Sequence, residues 1–93
     1  MKHYIIVKFK QGFDYKSSIG DITDIFKKTL SIDGINTVSV RSSNSERENR
    51  YDLMILITME KSALPLYDKS NPHLLWKEKY GEFIEKKAIF DCD

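Results

Sequence analysis

Two segments of this chain are apolar on both faces of a strand. The chain is too short to cover both faces by itself. The segments are His3-Tyr4-Ile5-Ile6-Val7-Lys8-Phe9 and Tyr51-Asp52-Leu53-Met54-Ile55-Leu56-Ile57-Thr58. Successive side chains of a strand point to opposite faces. Ile5, Val7, Leu53, Ile55 and Ile57 therefore share one parity, and Ile6, Met54 and Leu56 share the other. Helices packed on one side of such a sheet leave the second set in water. A partner sheet resolves the conflict, so the pattern predicts a homodimer joined through the face of Ile6, Met54 and Leu56.

The chain has 93 residues, enough for a single domain spanning 1–93 with a modest core. Lys and Arg number 15 against 14 Asp and Glu, so the basic excess expected of a nucleic-acid binder is missing. Lys77, Lys79, Lys86 and Lys87 alternate with Glu78, Glu82 and Glu85, the pattern of a solvated face. One cysteine, Cys92, forms no intrachain disulfide and reads as a passive strand residue. No secretory signal stands out, and the apolar runs fall short of the ~20 residues that span a bilayer. The expectation is a cytoplasmic protein without nucleic-acid or membrane partners.

A helix fits Tyr15 to Leu30, with Ile19, Ile22, Phe26 and Leu30 on one face. Asp33-Gly34 marks a turn, and Ile35 to Arg41 reads as a strand. Ser42 to Arg50 is polar and aperiodic, a loop expected to be mobile. A third strand covers Tyr51 to Met59, and a short helix Lys61 to Asp68. Asn71-Pro72 restarts a helix as N-cap and first residue, with Trp76, Tyr80, Phe83 and Ile84 as its apolar stripe. Lys86 to Asp91 forms the last strand. The order β-α-β-β-α-β is α+β and ferredoxin-like, a four-stranded antiparallel sheet in the order 4-1-3-2.

The residues with chemistry are few. His73 falls in the first turn of the helix after Asn71-Pro72, where the positive end of the helix dipole favours a neutral imidazole suited to general-base work. Tyr67 lies six residues earlier, and the break at Ser70-Asn71 can turn both side chains toward one cavity. His3 shares the parity of Ile5, Val7 and Ile55, so these four face the helices and such a cavity, as does Trp76. The plainer reading makes His73 a surface residue and Tyr67 and Trp76 core. No zinc spacing, phosphate-cradling glycine loop or nucleophile elbow is present, and no cofactor is implied.

Lys2 to Lys10 resembles the opening strand of the stress-responsive dimeric α/β-barrel family, the Dabb domain. Tyr51-Asp52-Leu53-Met54 is similar to its third strand. Tyr67 to His73 is similar to its Tyr-x-x-His-Pro-x-His segment, and Ala88-Ile89-Phe90-Asp91 to its last strand. The resemblance covers nearly the whole chain. It implies a ferredoxin-like protomer and a dimer whose sheets pack face to face as an α/β barrel. Plant polyketide cyclases of the family place a Tyr and a His in the pocket between helices and sheet, which by position are Tyr67 and His73, and His3 matches a pocket-lining His. The chain departs from the motif at Asn71, which stands where the family has its first His, and at Pro72, one place later relative to Tyr67.

Three functions are consistent with this. The first is a stress-associated homodimer that binds a small apolar ligand. The second is a small enzyme of polyketide-cyclase type acting on a carbonyl compound, with His73 removing a proton and Tyr67 meeting the oxyanion. The third is a haem-degrading or other small dimeric monooxygenase, suggested by Asn71, His73 and Trp76. That class places its Asn on a strand, and the first strand has none. Catalytic and non-catalytic readings both fit the sequence.

Overall fold

The computed structural model describes all residues 1–93. Strand β1 (Lys2–Phe9) is followed by helix α1 (Ile19–Lys27), β2 (Ile35–Ser42), β3 (Leu53–Met59), the short helix α2 (Leu64–Asp68), α3 (Asn71–Tyr80) and β4 (Ile84–Cys92). The four strands form one antiparallel sheet in the order β2-β3-β1-β4. The two most apolar strands are thus its central pair.

Register sets the faces. Ile5 lies opposite Ile55 and Ile6 opposite Met54, so the two parities of β1 and β3 stay on separate sides. On the helix side Ile5, Val7, Leu53, Ile55, Ile57 and Met59 are buried against Ile22, Ile25 and Phe26 of α1 and Trp76 and Tyr80 of α3. Phe26 meets Trp76 edge to face at 5.1 Å between ring centroids, which locks the two helices together over β1 and β3. On the other side no helix lies over Ile6, Met54 and Leu56, which stay half-exposed. Phe90 of β4 joins them at 60% exposure, with Tyr4 beside it at 6.3 Å.

Several boundaries differ from the sequence pattern. The α1 helix tightens into a 3₁₀ turn at Lys28–Ser31. Such a turn eclipses i and i+3, so Thr29 follows Phe26 inward and Leu30 turns out, 46% exposed. Ile25, rather than Leu30, completes the buried face. The N-cap of α3 is Ser70 and not Asn71, because the Ser70 hydroxyl accepts from the His73 amide at 3.3 Å. Asn71 and Pro72 then open the helix, and His73 becomes its third residue. The helix ends at Tyr80, and Phe83 closes a 3₁₀ turn that hands Ile84 to β4. Strand β3 begins at Leu53. Asp52 instead bridges to β1, its amide donating to the Val7 carbonyl and its carboxylate accepting from the Phe9 amide, both at 2.8 Å.

The polar loop after β2 is hydrogen-bonded to β1. The Lys8 ammonium donates to the carbonyls of Glu48 (2.6 Å) and Arg50 (3.1 Å), and the Ser45 amide to the Ser43 hydroxyl. The side chains there are polar, but the backbone carbonyls still require donors, and Lys8 of the neighbouring strand supplies them. Gly34, at φ +90, closes the turn into β2 where a Cβ would meet Ala63 at 3.0 Å.

The helices are also joined at their solvent edge. The carboxylate of Asp21 on α1 accepts from the Tyr80 hydroxyl (2.5 Å) and pairs with Lys79 (2.7 Å), both on α3. Bonding from Lys79, then Tyr80, holds the Asp21 carboxyl below its usual range. A carboxyl with a lowered folded pKa adds stability that is complete above the unfolded value near 3.9 and is lost as pH falls through the folded one. Wild type should melt above Asp21→Asn at neutral pH, and acid titration below about pH 4 should close the gap. A gap independent of pH would show that the Asp21 charge contributes nothing.

Candidate functional site

The break between α2 and α3 brings two rings together. Ser70 is extended, and its hydroxyl donates to the Tyr67 carbonyl at 2.7 Å while accepting from the His73 amide. One serine thus ties the end of α2 to the start of α3. The Tyr67 and His73 rings lie 4.7 Å apart at their centroids, tilted by 40°. His73 Nδ1 lies 2.8 Å from the Asp68 carbonyl. A carbonyl only accepts, so Nδ1 carries the proton, and in the neutral ring Nε2 is left as the lone-pair nitrogen.

A second imidazole meets Tyr67 from the sheet. His3 faces the helices on β1, 5% exposed, directly opposite Asp91 on β4. Its Nδ1 lies 2.5 Å from Asp91 Oδ1. The carboxylate is the acceptor, so this ring too has its Nδ1 proton committed and its Nε2 directed elsewhere. The His3 ring meets Tyr67 edge to face at 5.6 Å. Tyr67 is therefore held between two imidazoles, each oriented by an oxygen behind it.

Tyr67 is 1% exposed, and its hydroxyl has no hydrogen-bond partner. Burial, followed by the nearby charge of Asp68, pushes its pKa far above the ordinary phenol value. The group is a neutral O–H at any physiological pH, a donor without an acceptor. Such a group costs about 1–3 kcal/mol to bury.

These residues border a cavity of about 330 Å³ between α2–α3 and the β1–β4 half of the sheet. That volume lies in the range of small-ligand sites. Ile5, Leu64, Trp76 and Ile89 form its apolar wall, and Lys77, Lys87 and Asp68 also line it. The cavity exists because α2 and α3 lie over the central strands and leave edge strand β4 uncovered, with Ile89 49% exposed. A larger recess of about 560 Å³ opens between the Gly12 turn and the Ser45–Glu48 loop. Its walls are mostly long charged side chains, among them the exposed Lys16–Glu46 pair, and it holds none of His3, Tyr67 and His73.

His3, Ile5, Tyr67, His73 and Trp76 all border this cavity. Val7 and Ile55, placed on its wall by parity, do not. They are 0% exposed and belong to the filled core beneath α1 and α3. Asp91, the Asp68 carbonyl and Ile89 were not legible as site groups. Finding Asp91 requires the β1–β4 register, which local sequence does not carry. No three His, Cys, Asp or Glu side chains cluster as a metal site. No helix is long and apolar enough to cross a membrane.

No protein-family model and no curated protein sequence matches the chain. Its likeness to solved structures is extensive. A dimeric ferredoxin-like protein of unknown function from Jannaschia matches with a TM-score of 0.80 and 15% identity, over 99% of this chain and 96% of that one. A Dabb family protein from Mesorhizobium loti matches at 0.73 and 15%, over 99% and 93%. A hydroxynitrile lyase from Passiflora edulis matches at 0.73 and 14%, over 96% and 87%. The chain has the ferredoxin-like fold, an α+β fold shared with a Dabb family protein and with proteins described as dimeric. At these identities the likeness concerns fold alone.

The orphan hydroxyl yields a test. Tyr67→Phe removes an unpaired donor and keeps the ring between the imidazoles, so without ligand it should stabilise the protein by about 1 kcal/mol. Denaturant unfolding measures this. A loss of similar size would show that the hydroxyl is satisfied within the folded protein.

Proposed function

We propose that this chain is a Dabb-type homodimer whose cavity binds a small, largely apolar molecule bearing a carbonyl or hydroxyl oxygen. The observation that carries the reading is the buried, unpartnered hydroxyl of Tyr67, whose ring meets two imidazoles beside a partly apolar cavity. A small shift of the side chains around it lets a ligand oxygen reach that enclosed donor, and Trp76, Ile5 and Ile89 supply apolar contact. The stress-associated role comes from the family resemblance. The haem reading gains nothing from the geometry, because Asn71 is exposed and lies off the cavity wall.

The dimer follows from the uncovered sheet face. Tyr4, Ile6, Met54, Leu56 and Phe90 form an apolar surface across β3, β1 and β4. Facing sheets pack about 10 Å apart with interdigitated side chains, which covers these residues on both copies. Several proteins with this fold are described as dimeric. Wild type should sediment as a dimer at micromolar concentration, and Leu56→Asp as a monomer or aggregate. A monomeric wild type would remove the barrel.

A second reading, proton transfer next to a carbonyl, is favoured by the committed Nδ1 protons. His73 Nε2 takes the proton, the C–H electron pair forms the enolate, and the Tyr67 hydroxyl donates to its oxygen. The hydroxynitrile lyase with this fold supports an enzymatic use of the architecture. The test for both readings is a panel of small ketones and phenols, followed by thermal shift and by deuterium uptake at the carbon next to the carbonyl in D2O. Binding without uptake supports the first reading, and uptake lost in His73→Ala supports the second. Groups acting as one unit give a double variant, His73→Ala with Tyr67→Phe, little worse than either single one. No response to any compound would overturn both readings.

A further inference from the structure

The proposed cavity is polar at both ends, and the ends differ in sign. Along the helix-facing side of β4, Asp91 lies opposite His3, Ile89 opposite Ile5, and Lys87 opposite Val7. At about 3.4 Å per residue, Lys87 stands about 14 Å along the strand from Asp91. On α3, Lys77 follows His73 by one turn, a rise of about 6 Å on the same helix face. Strand and helix thus each carry a lysine to the end of the cavity away from His3, Tyr67 and His73. Both lysines border the cavity, with Trp76, Ile5 and Ile89 between them and the imidazoles.

Neither lysine has a carboxylate partner. The ion pairs of the chain are His3–Asp91, Lys16–Glu46 and Lys79–Asp21. Lys79, two residues beyond Lys77, is bound into the α1–α3 junction, whereas Lys77 is free. The carboxylates on the cavity wall, Asp91 and Asp68, stand with the imidazoles, and Asp91 is engaged by His3. A solvated lysine alone is ordinary. Two unpaired lysines from different elements, bordering one apolar cavity whose far end bears two acidic side chains, form a dipolar site. An anion entering it is drawn to the lysine end and repelled from the other. The lysine stems extend the apolar wall while their ammonium groups stay at the mouth.

We propose that the ligand is an amphiphilic anion, a small apolar body with a carboxylate or similar group held by Lys77 and Lys87 and an oxygen at the other end meeting Tyr67. This deepens the binding reading above and rests on it. The two polar groups lie roughly 6–14 Å apart, the helix and strand spacings between the ends. The polarity also fixes direction, because a molecule with one anionic end and one carbonyl end fits only one way round.

The experiment uses 7-oxooctanoate and its uncharged amide, 7-oxooctanamide, titrated against the wild-type protein at neutral pH. Fluorescence of Trp76, the chain's one tryptophan, reports binding. The acid should bind about tenfold more tightly than the amide, the scale of two solvent-screened ion pairs, and salt should weaken only the acid. In the double variant Lys77→Met, Lys87→Met the ratio of acid to amide affinity should fall from about tenfold to about one. The Lys77→Arg, Lys87→Arg variant should retain the preference. Equal binding of acid and amide by wild type, or a preference that survives loss of both lysines, would overturn the anion assignment and leave the cavity reading intact. If neither compound binds, the cavity reading falls and takes this one with it.

Discussion

The fold depends on the pairing of β1 with β3, two strands apolar on both sides. Because they pair with each other, Ile5 with Ile55 and Ile6 with Met54, each face of the pair presents a continuous apolar surface. One surface has to be covered by the helices of the same chain, which places α1 and α3 and brings Phe26 against Trp76. The other has no cover within the chain. At 93 residues a domain buries little more than 60% of its unfolded surface, so an exposed second face is a large fraction of what remains to be gained. The arrangement of the helices and the incomplete burial of the sheet have one cause.

That cause also creates the cavity. The helices serve the central strands first, and edge strand β4 receives no cover on its helix-facing side. Lys87, Ile89 and Asp91 therefore face an opening rather than a packed layer, while His3 and Ile5 of β1 form its floor. A fully buried central strand and a half-covered edge strand, side by side, provide a rigid floor and an accessible rim. The break at Ser70 does the rest. It ends α2 early enough to bring Tyr67 against His3 and starts α3 so that the His73 ring meets Tyr67 at a tilt.

What the sequence revealed follows the range of each signal. Parity is local, and it assigned every central residue of β1 and β3 to its correct face. Helical periodicity is local too, but it assumes an ideal helix, and Leu30 was misplaced because a 3₁₀ turn changes the angle per residue. The same limit put Ile84 in a helix rather than at the head of a strand. Val7 and Ile55 were placed on the cavity wall because parity says which side a residue faces and nothing about what lies above it. Asp91 stayed hidden for a different reason. Its partner is 88 positions away, and the pairing exists only through the β1–β4 register. The loop after β2 looked featureless because its anchor, Lys8, belongs to another strand.

The Tyr67 hydroxyl is the one point where the local rules are broken. Every other buried side-chain polar atom has a partner; Thr29, fully enclosed, donates to the Phe26 carbonyl. Phenylalanine has nearly the same volume and would fill the same space without an orphan donor. In a small domain, where net stability is of order 5–15 kcal/mol, an unpaired buried group worth about 1–3 is a substantial fraction. Selection for packing alone favours the phenylalanine. A tyrosine held there, its ring against two imidazoles that each have one nitrogen committed to an oxygen behind them, is what the proposed ligand site would require, the missing acceptor then arriving with the ligand. Departures of this kind concentrate where function competes with stability.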